Sequence, residues 1–387
     1  MTVELAGQGA LGGIRIIEFG EGMAASYAGM LLSDMGAEVV KVEPPGGSAV
    51  RRLRASPLWN RGKRSITLDL RQTDCREIAR RLLLGADAAL LDLLPNEATA
   101  FGLDYESLAP SNPRLVYCSL TPFGRARGWE GRHATADIVA AHGGIMAGQG
   151  GSEKSPIFVV ARIPENAAAI LCSIGITTAL YVREQTGRGQ KVELSLLAAG
   201  IAMNSAAHII AEGITPMYGP KRDQQGGMPV YRHFQCGDGQ WLFLACGHQT
   251  FWNRTCIVLG LEHLVADQRF ENAPWGIPTE HRLALQSAVA EVIRTRPRDE
   301  WLRLLEEADV PCAAVESAAD FIDHPQVLHN GMIVDVEDPD VGPTRQMGIP
   351  VLMGLTPGKI KAPAPRAGQH TEEVLRDLSY VALEERP

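Results

Sequence analysis

The stretch that decides the fold runs from Ile14-Arg15-Ile16-Ile17-Glu18-Phe19, through an Ala- and Met-rich segment from about Ala24 to Met35, to Glu38-Val39-Val40-Lys41-Val42-Glu43. The first six residues read as a short, mostly buried strand. The small-residue segment has helical texture, and Gly36 stops it. The third piece is again a strand. Strand, helix and strand in thirty residues make a βαβ unit, which requires a parallel sheet. The alternation continues with a strand over Ser65-Ile66-Thr67-Leu68-Asp69-Leu70, a helix from about Asp74 to Leu84 and a strand at Ala88-Ala89-Leu90-Leu91. Leu115-Val116-Tyr117-Cys118-Ser119-Leu120 and Lys191-Val192-Glu193-Leu194-Ser195 are further strands, separated by a helix from Glu165 to Arg183. The fold class is α/β.

The texture changes near residues 215–230, where Pro216, Gly219, Pro220, Gly226, Gly227 and Pro229 crowd a polar segment. A hairpin follows, Tyr231–Cys236 and Trp241–Cys246, turning at Gly237-Asp238-Gly239. Amphipathic helices come next, including Asp299 to Ala308. The boundaries expected are a large α/β domain over 1–215, a small α+β domain over 216–322, and a C-terminal stretch over 323–387 that holds short strands such as Met332–Val336.

With 387 residues, 45% of them hydrophobic and 21% charged, the chain can bury large cores. A net charge of −8 argues against nucleic-acid binding, which needs a basic excess. The seven cysteines are scattered and form no C-x-x-C pair, so neither a zinc site nor a disulfide scaffold is expected. Met1-Thr2-Val3-Glu4-Leu5 lacks the basic start and apolar core of a signal peptide. Apolar stretches such as Ala167 to Ala179 read as too short to span a bilayer. A cytoplasmic protein without membrane contact is the expectation.

After the first strand comes Gly20-Glu21-Gly22-Met23-Ala24-Ala25, which matches G-x-G-x-x-A, and Glu43 lies 18 residues beyond Ala25. Taken locally, this fits a dinucleotide fingerprint, in which glycines admit a pyrophosphate to a helix N-terminus and the acid holds a ribose. It fits equally a tight strand-to-helix turn with a structural glutamate.

A longer series of landmarks runs through the chain. It comprises Gly36-Ala37-Glu38-Val39-Val40-Lys41-Val42-Glu43-Pro44-Pro45-Gly46-Gly47, Asn60-Arg61-Gly62-Lys63-Arg64-Ser65, Asn112-Pro113-Arg114-Leu115-Val116-Tyr117, Thr186-Gly187-Arg188-Gly189-Gln190, Val310-Pro311-Cys312, Asp323-His324-Pro325-Gln326-Val327 and Gly368-Gln369-His370-Thr371-Glu372-Glu373. In order and spacing, from about Leu11 to about Tyr380, the sequence resembles the family III CoA-transferases. The resemblance implies a Rossmann-like large domain built from both chain ends, a small middle domain and two interlocked subunits. It implies CoA transfer from an acyl-CoA to an organic acid, with CoA thioesters as substrates and no permanently bound cofactor or metal. The nicotinamide reading of the first βαβ unit is demoted accordingly.

Such transfer needs a carboxylate nucleophile. Counting back from Thr186-Gly187-Arg188-Gly189-Gln190 puts the family's aspartate at Glu165, in the run Arg162-Ile163-Pro164-Glu165-Asn166. The extra methylene moves the carboxyl by roughly 1.5 Å, and misplacements of about 1 Å can cost about 10²-fold in rate. An acid at a helix N-terminus without a catalytic role is the alternative. The resemblance places CoA against Gly22, Met23, Ala24, the basic cluster Asn60, Arg61, Lys63 and Arg64, and Asp92 and Pro95, with Gly226 and Gly227 as a lid. A solvated loop is the other reading of that cluster.

The run Leu91-Asp92-Leu93-Leu94-Pro95-Asn96 departs from the family's Glu-Asn-Phe-x-Pro-Gly, and the glycine lid is thinned. Together with Glu165, these departures are similar to the aspartate-lacking subunits of heteromeric members, such as benzylsuccinate CoA-transferase. The expectation is a non-catalytic partner of an aspartate-bearing homologue. The alternatives are a self-sufficient transferase using Glu165, with a second copy of itself as partner, a pseudoenzyme that only binds, an α-methylacyl-CoA racemase and a dinucleotide oxidoreductase. The racemase needs a histidine where Thr135 stands; His133 and His142 are out of register, and His142 reads as a core or hydrogen-bonded residue.

Overall fold

The computed structural model describes residues 9–125, 128–129, 131–149, 155–209, 211–213 and 225–384. Pro216, Gly219 and Pro220 lie outside them. The chain forms two compact units. One comprises Met1–Ile145, Val159–Met217 and Leu328–Pro387; the other comprises Met146–Phe158 and Tyr218–Val327. The short piece Met146–Phe158, which the sequence reading left in the large domain, belongs to the second unit.

The first unit is built on six parallel strands. They are β1 (Arg15–Gly20), β2 (Glu38–Glu43), β3 (Arg64–Thr67), β4 (Ala88–Asp92), β5 (Val116–Thr121) and β6 (Lys191–Ser195), in the spatial order β3-β2-β1-β4-β5-β6. Helix α1 (Met23–Asp34) follows β1, α2 (Thr73–Leu84) follows β3, and α3 (Pro95–Phe101) follows β4. After β5 come α4 (Ala136–His142) and α5 (Ile163–Thr186), and α6 (Leu196–Met203) follows β6.

Alternation within each strand sends side chains to both faces, and helices cover both, so the central strands are apolar almost throughout. On one face Ile16, Val39, Leu90 and Cys118 pack with Ala24, Ala25 and Ala28 of α1 and with Ala167, Ala168, Ala169, Cys172 and Ile176 of α5. The other face carries Ile17, Val40, Ile66 and Ala89 against Leu82 and Leu83 of α2. Val374 and Leu378 of the C-terminal helix, Thr371–Glu384, join that second cluster. Each fully buried Leu or Ile contributes roughly 1.5–3 kcal/mol.

Helix α5 extends beyond the 165–183 expected from sequence, reaching Ile163 and Thr186. At 24 residues it is long and apolar enough to cross a membrane, contrary to the sequence expectation. Here it connects toward β6, with its alanine face buried in the sheet core. Its other face leaves Ile170, Ile174 and Tyr181 exposed. The first unit also contains a hairpin of β10 (Ile333–Asp338) and β11 (Gly342–Met347).

The second unit holds an antiparallel sheet of β7 (Tyr231–Gln235), β8 (Trp241–Ala245) and β9 (Cys312–Ala314). Helices α7 (Gln249–Leu259), α8 (Thr279–Ile293) and α9 (Arg298–Glu307) pack on it through Trp252, Leu285, Val289, Trp301 and Leu305. Trp301 Nε1 donates to the carbonyl of Ile293 at 2.7 Å, which satisfies the buried indole. The hairpin turn is closed by Asp238, whose Oδ1 accepts from the amide of Gln240 at 3.0 Å.

Candidate active site

The strand order reverses direction between β1 and β4, and ligands of open parallel sheets bind beyond the strand ends at such a reversal. Gly20 and Asp92 are register partners on the last rung there. Beyond them opens a cleft of about 560 Å³, whose walls include Gly22, Asp92, Glu97, His133, Arg162 and Glu165.

Glu165 reaches this cleft because α5 begins at Ile163 with Pro164 preset in its first turn, which puts Glu165 in the same turn. An acid there is favoured by the helix dipole. Its carboxyl is nearly buried, and Oε2 accepts from Arg162 Nη1 at 3.0 Å. Burial pushes its pKa up; the Arg162 guanidinium pulls it down, and Asp137 on α4 adds to the rise.

Asp92, at the end of β4, accepts from the amide of Gly22 through Oδ2 at 3.0 Å. Burial pushes its carboxyl up to about 7; the Gly22 amide and Lys41 oppose this, and Glu165 and Glu18 add to it. The cleft therefore holds two carboxyl groups that resist ionisation and oppose each other's charge. Such perturbed acids in a cleft mark a functional site. A carboxylate with little hydration can attack a carbonyl, and a neutral carboxyl can donate a proton or a hydrogen bond.

The other residues singled out from the sequence are placed as follows. Gly22 lines the cleft at the start of α1, whereas Met23 and Ala24 are buried in the first turn of that helix. Pro95 begins α3 and lines a neighbouring cleft with Ser119, Thr121 and Arg125.

The basic cluster is neither a solvated loop nor a set of free cations. Asn60 is buried and bonds Ser56. Arg61 is fully buried between Asp34, at 2.7 Å, and the carbonyl of Met347, at 2.6 Å. Lys63 donates to Glu18 Oε2 at 2.6 Å inside the core. Arg64 pairs with Glu38, Glu373 and Asp377. Asp34, Glu18, Glu38, Glu373 and Asp377 thus neutralise these cations within the fold.

Gly226 sits in the second unit, tied to the start of β7. The amide of His233 donates to the carbonyl of Gln225 at 2.8 Å, and a Cβ on Gly226 would stand 2.4 Å from Arg232 Cβ. Its glycine is thus required by close packing on β7. Gly227 follows in a bend.

The alternatives fare differently. Glu43, the acid of the dinucleotide pattern, is buried and held by Arg51 at 2.6 Å, Ser48 at 2.7 Å and Ser65 at 2.6 Å. These bonds draw its pKa down to about 2 against the effect of burial, and leave no oxygen facing a ribose. His142 is an exposed residue stacked on Trp129, with centroids 4.8 Å apart, rather than a core histidine. His133 lines the cleft but is largely exposed, 4.0 Å from Glu97.

Sequence reasoning missed Arg162 as a member of the site. The signal was present, since Arg162 stands three residues before Glu165 and that spacing joins side chains within one helical turn.

A family model described as CoA-transferase family III matches residues 11–371. The chain belongs to CoA-transferase family III. It is 28% identical to a protein named succinyl-CoA–D-citramalate CoA-transferase from Chloroflexus aurantiacus, over 94% of this chain and 93% of that protein. It is 29% identical to the beta subunit of a succinyl-CoA–L-malate CoA-transferase from the same organism, over 95% of this chain and 94% of that one. A crystal structure of a CAIB/BAIF family protein from Brucella suis superposes with a TM-score of 0.81 at 27% identity, covering 96% of this chain and all of that one. Family membership makes this protein a CoA-transferase and accounts for its six-stranded parallel sheet and smaller antiparallel sheet.

Proposed function

We propose that this chain moves CoA from an acyl-CoA, such as succinyl-CoA, to an organic acid, with Glu165 as the nucleophile. The observation that carries the reading is the position of Glu165. It is a nearly buried carboxyl in the first turn of α5, in the cleft at the β1/β4 reversal.

The chemistry is a pair of exchanges. Glu165 attacks the thioester carbonyl, giving a mixed anhydride and the CoA thiolate. The thiolate attacks the Glu165 carbonyl, giving an enzyme–CoA thioester and the donor's free acid. The acceptor carboxylate attacks that thioester and releases the thiolate, which takes the acyl group and restores Glu165. Burial strengthens the nucleophile by thinning its hydration. Gly22 and Asp92 are the proposed CoA-side contacts in this cleft.

The test is to incubate the chain with succinyl-CoA and treat it with borohydride or hydroxylamine. A modified Glu165 supports the reading; transfer that survives Glu165→Gln refutes it.

A second reading is a non-catalytic subunit that completes a heteromer with an aspartate-bearing homologue, as in the benzylsuccinate type. Glutamate in place of aspartate favours it, as does a relative named as a beta subunit. The exposed Ile170, Ile174 and Tyr181 of α5 offer an apolar face for a second subunit, homologous or identical. Under this reading, transfer appears only in the mixture and is indifferent to Glu165→Gln.

A further inference from the structure

Arg162 occupies the N-cap position of α5, where side-chain acceptors are normally preferred. A guanidinium accepts no hydrogen bond, and there it meets the positive end of the helix dipole. Its counter-charge is Glu165, through the 3.0 Å bond from Nη1 to Oε2. The Arg162 side chain is 39% exposed, against 12% for Glu165, so the pair points from the buried wall toward the open cleft. Glu165 uses one of the five guanidinium N–H groups and is the only acceptor Arg162 has among the described residues. Among the described residues that line the cleft, Arg162 is the only arginine or lysine, facing Glu21, Asp92, Glu97 and Glu165.

The exchange chemistry removes the counter-charge. In both the anhydride and the enzyme–CoA thioester, Glu165 is an acyl group without charge. Arg162 is then an unpaired cation beside the acylated carbonyl. The acceptor must approach that same carbonyl as a carboxylate, through a cleft that also holds the acids Glu21, Asp92 and Glu97.

We propose that Arg162 is the residue that positions the acceptor acid: acylation of Glu165 releases its guanidinium, which then binds the incoming carboxylate beside the Glu165 carbonyl. The proposal rests on Glu165 being the nucleophile. One carboxylate oxygen is held by the guanidinium while the other attacks. The carbonyl–sulfur bond breaks, the thiolate leaves, and no proton or redox partner is required. When the thiolate takes the acyl group, Glu165 recovers its charge and its hold on Arg162. The ion pair is thus open only while the enzyme carries a group to transfer.

The test uses the full chain, succinyl-CoA as donor and isotopically labelled succinate as acceptor, so that the donor's own acid is the probe. Arg162→Gln is expected to raise the KM for succinate by about ten- to a hundredfold, the loss of one charge-assisted hydrogen bond, while the KM for succinyl-CoA stays within about twofold. The enzyme–CoA adduct on Glu165, trapped by borohydride, should accumulate in this variant. Arg162→Lys keeps the charge and is expected to recover part of the succinate affinity. An equal rise in both KM values, or no accumulation of adduct, overturns the proposal. If the unaltered chain forms no adduct on Glu165, the nucleophile reading fails and this proposal with it. A wild-type adduct with an unchanged succinate KM in Arg162→Gln overturns this proposal alone.

Discussion

The amide of Gly22, at the start of α1, donates to Oδ2 of Asp92, at the end of β4, across 3.0 Å. The bond joins the two strands that flank the sheet's reversal, where Gly20 and Asp92 already form the last rung. It leaves no room for a side chain, since a Cβ on Gly22 would stand 2.2 Å from that same oxygen. Gly22→Ala is therefore expected to drive the Asp92 carboxyl from its place and to cost about 1–3 kcal/mol by overpacking. Urea unfolding measures this. In an Asp92→Ala background the same substitution should cost much less, and equal costs in both backgrounds would refute the coupling.

Asp92 also makes stability depend on pH. Its carboxyl is pushed up to about 7 from an ordinary 3.8, first by burial. An acid whose folded pKa lies above its unfolded value holds its proton more tightly in the folded state. Its contribution is fully present below about pH 4 and is lost as pH rises toward 7. The loss amounts to at most about 1.4 kcal/mol per pH unit, reduced by screening because Asp92 is partly exposed at the cleft. Asp92→Asn should keep the Gly22 bond and remove this dependence. Urea midpoints at pH 5 and 7.5 check it: the unaltered chain should weaken across that interval relative to the variant.

How much of this could be read from the sequence depends on the range of the interaction. The strands β2 and β6 emerged with their observed ends, because Val39-Val40-Lys41-Val42 and Lys191-Val192-Glu193-Leu194 are local patterns. The site's address came from a count along the chain, and Arg162 from the same turn was readable too. The ion pairs of Arg61, Lys63 and Arg64 were not legible, because a run of cations has no local sign of its partners. Those partners are Asp34, Glu18 and Glu38, Glu373 and Asp377, and all are distant in sequence. For Glu43 the sequence already favoured a structural role over a ribose contact, but the partners that hold it, Arg51, Ser48 and Ser65, come onto its oxygens only in the fold.

At Glu165 the length of the side chain is itself testable. Glu165→Gln and Glu165→Ala should abolish the borohydride-trapped adduct and the transfer of CoA. Glu165→Asp restores the residue usual in the family but withdraws the carboxyl from a cleft whose Arg162 contact is set for glutamate. A displacement near 1 Å predicts a loss of about 10²-fold in kcat/KM. A gain on Glu165→Asp would show that the cleft still fits an aspartate and that the longer residue is a handicap.

The strongest stability effect should come from Glu18. It is fully buried on β1 and accepts from Lys41 through Oε1 at 2.7 Å and from Lys63 through Oε2 at 2.6 Å. Ser26 anchors both lysines, its hydroxyl accepting from Lys41 and its carbonyl from Lys63. Glu18→Gln leaves two ammonium groups in the core without the carboxylate that is bonded to both. Breaking a buried pair in this way costs about 3–5 kcal/mol. Burial already pulls Lys63 down to about 8, so the lysine nearest to neutrality has a way out by losing its proton. A lysine with a lowered folded pKa gives a chain that gains stability as pH rises from the folded toward the unfolded value. The Glu18→Gln defect should therefore shrink between pH 7 and 9.5, and adding Lys63→Met should recover part of it at neutral pH. Urea midpoints of both variants across that range decide the matter, and a defect that does not change with pH would refute the account.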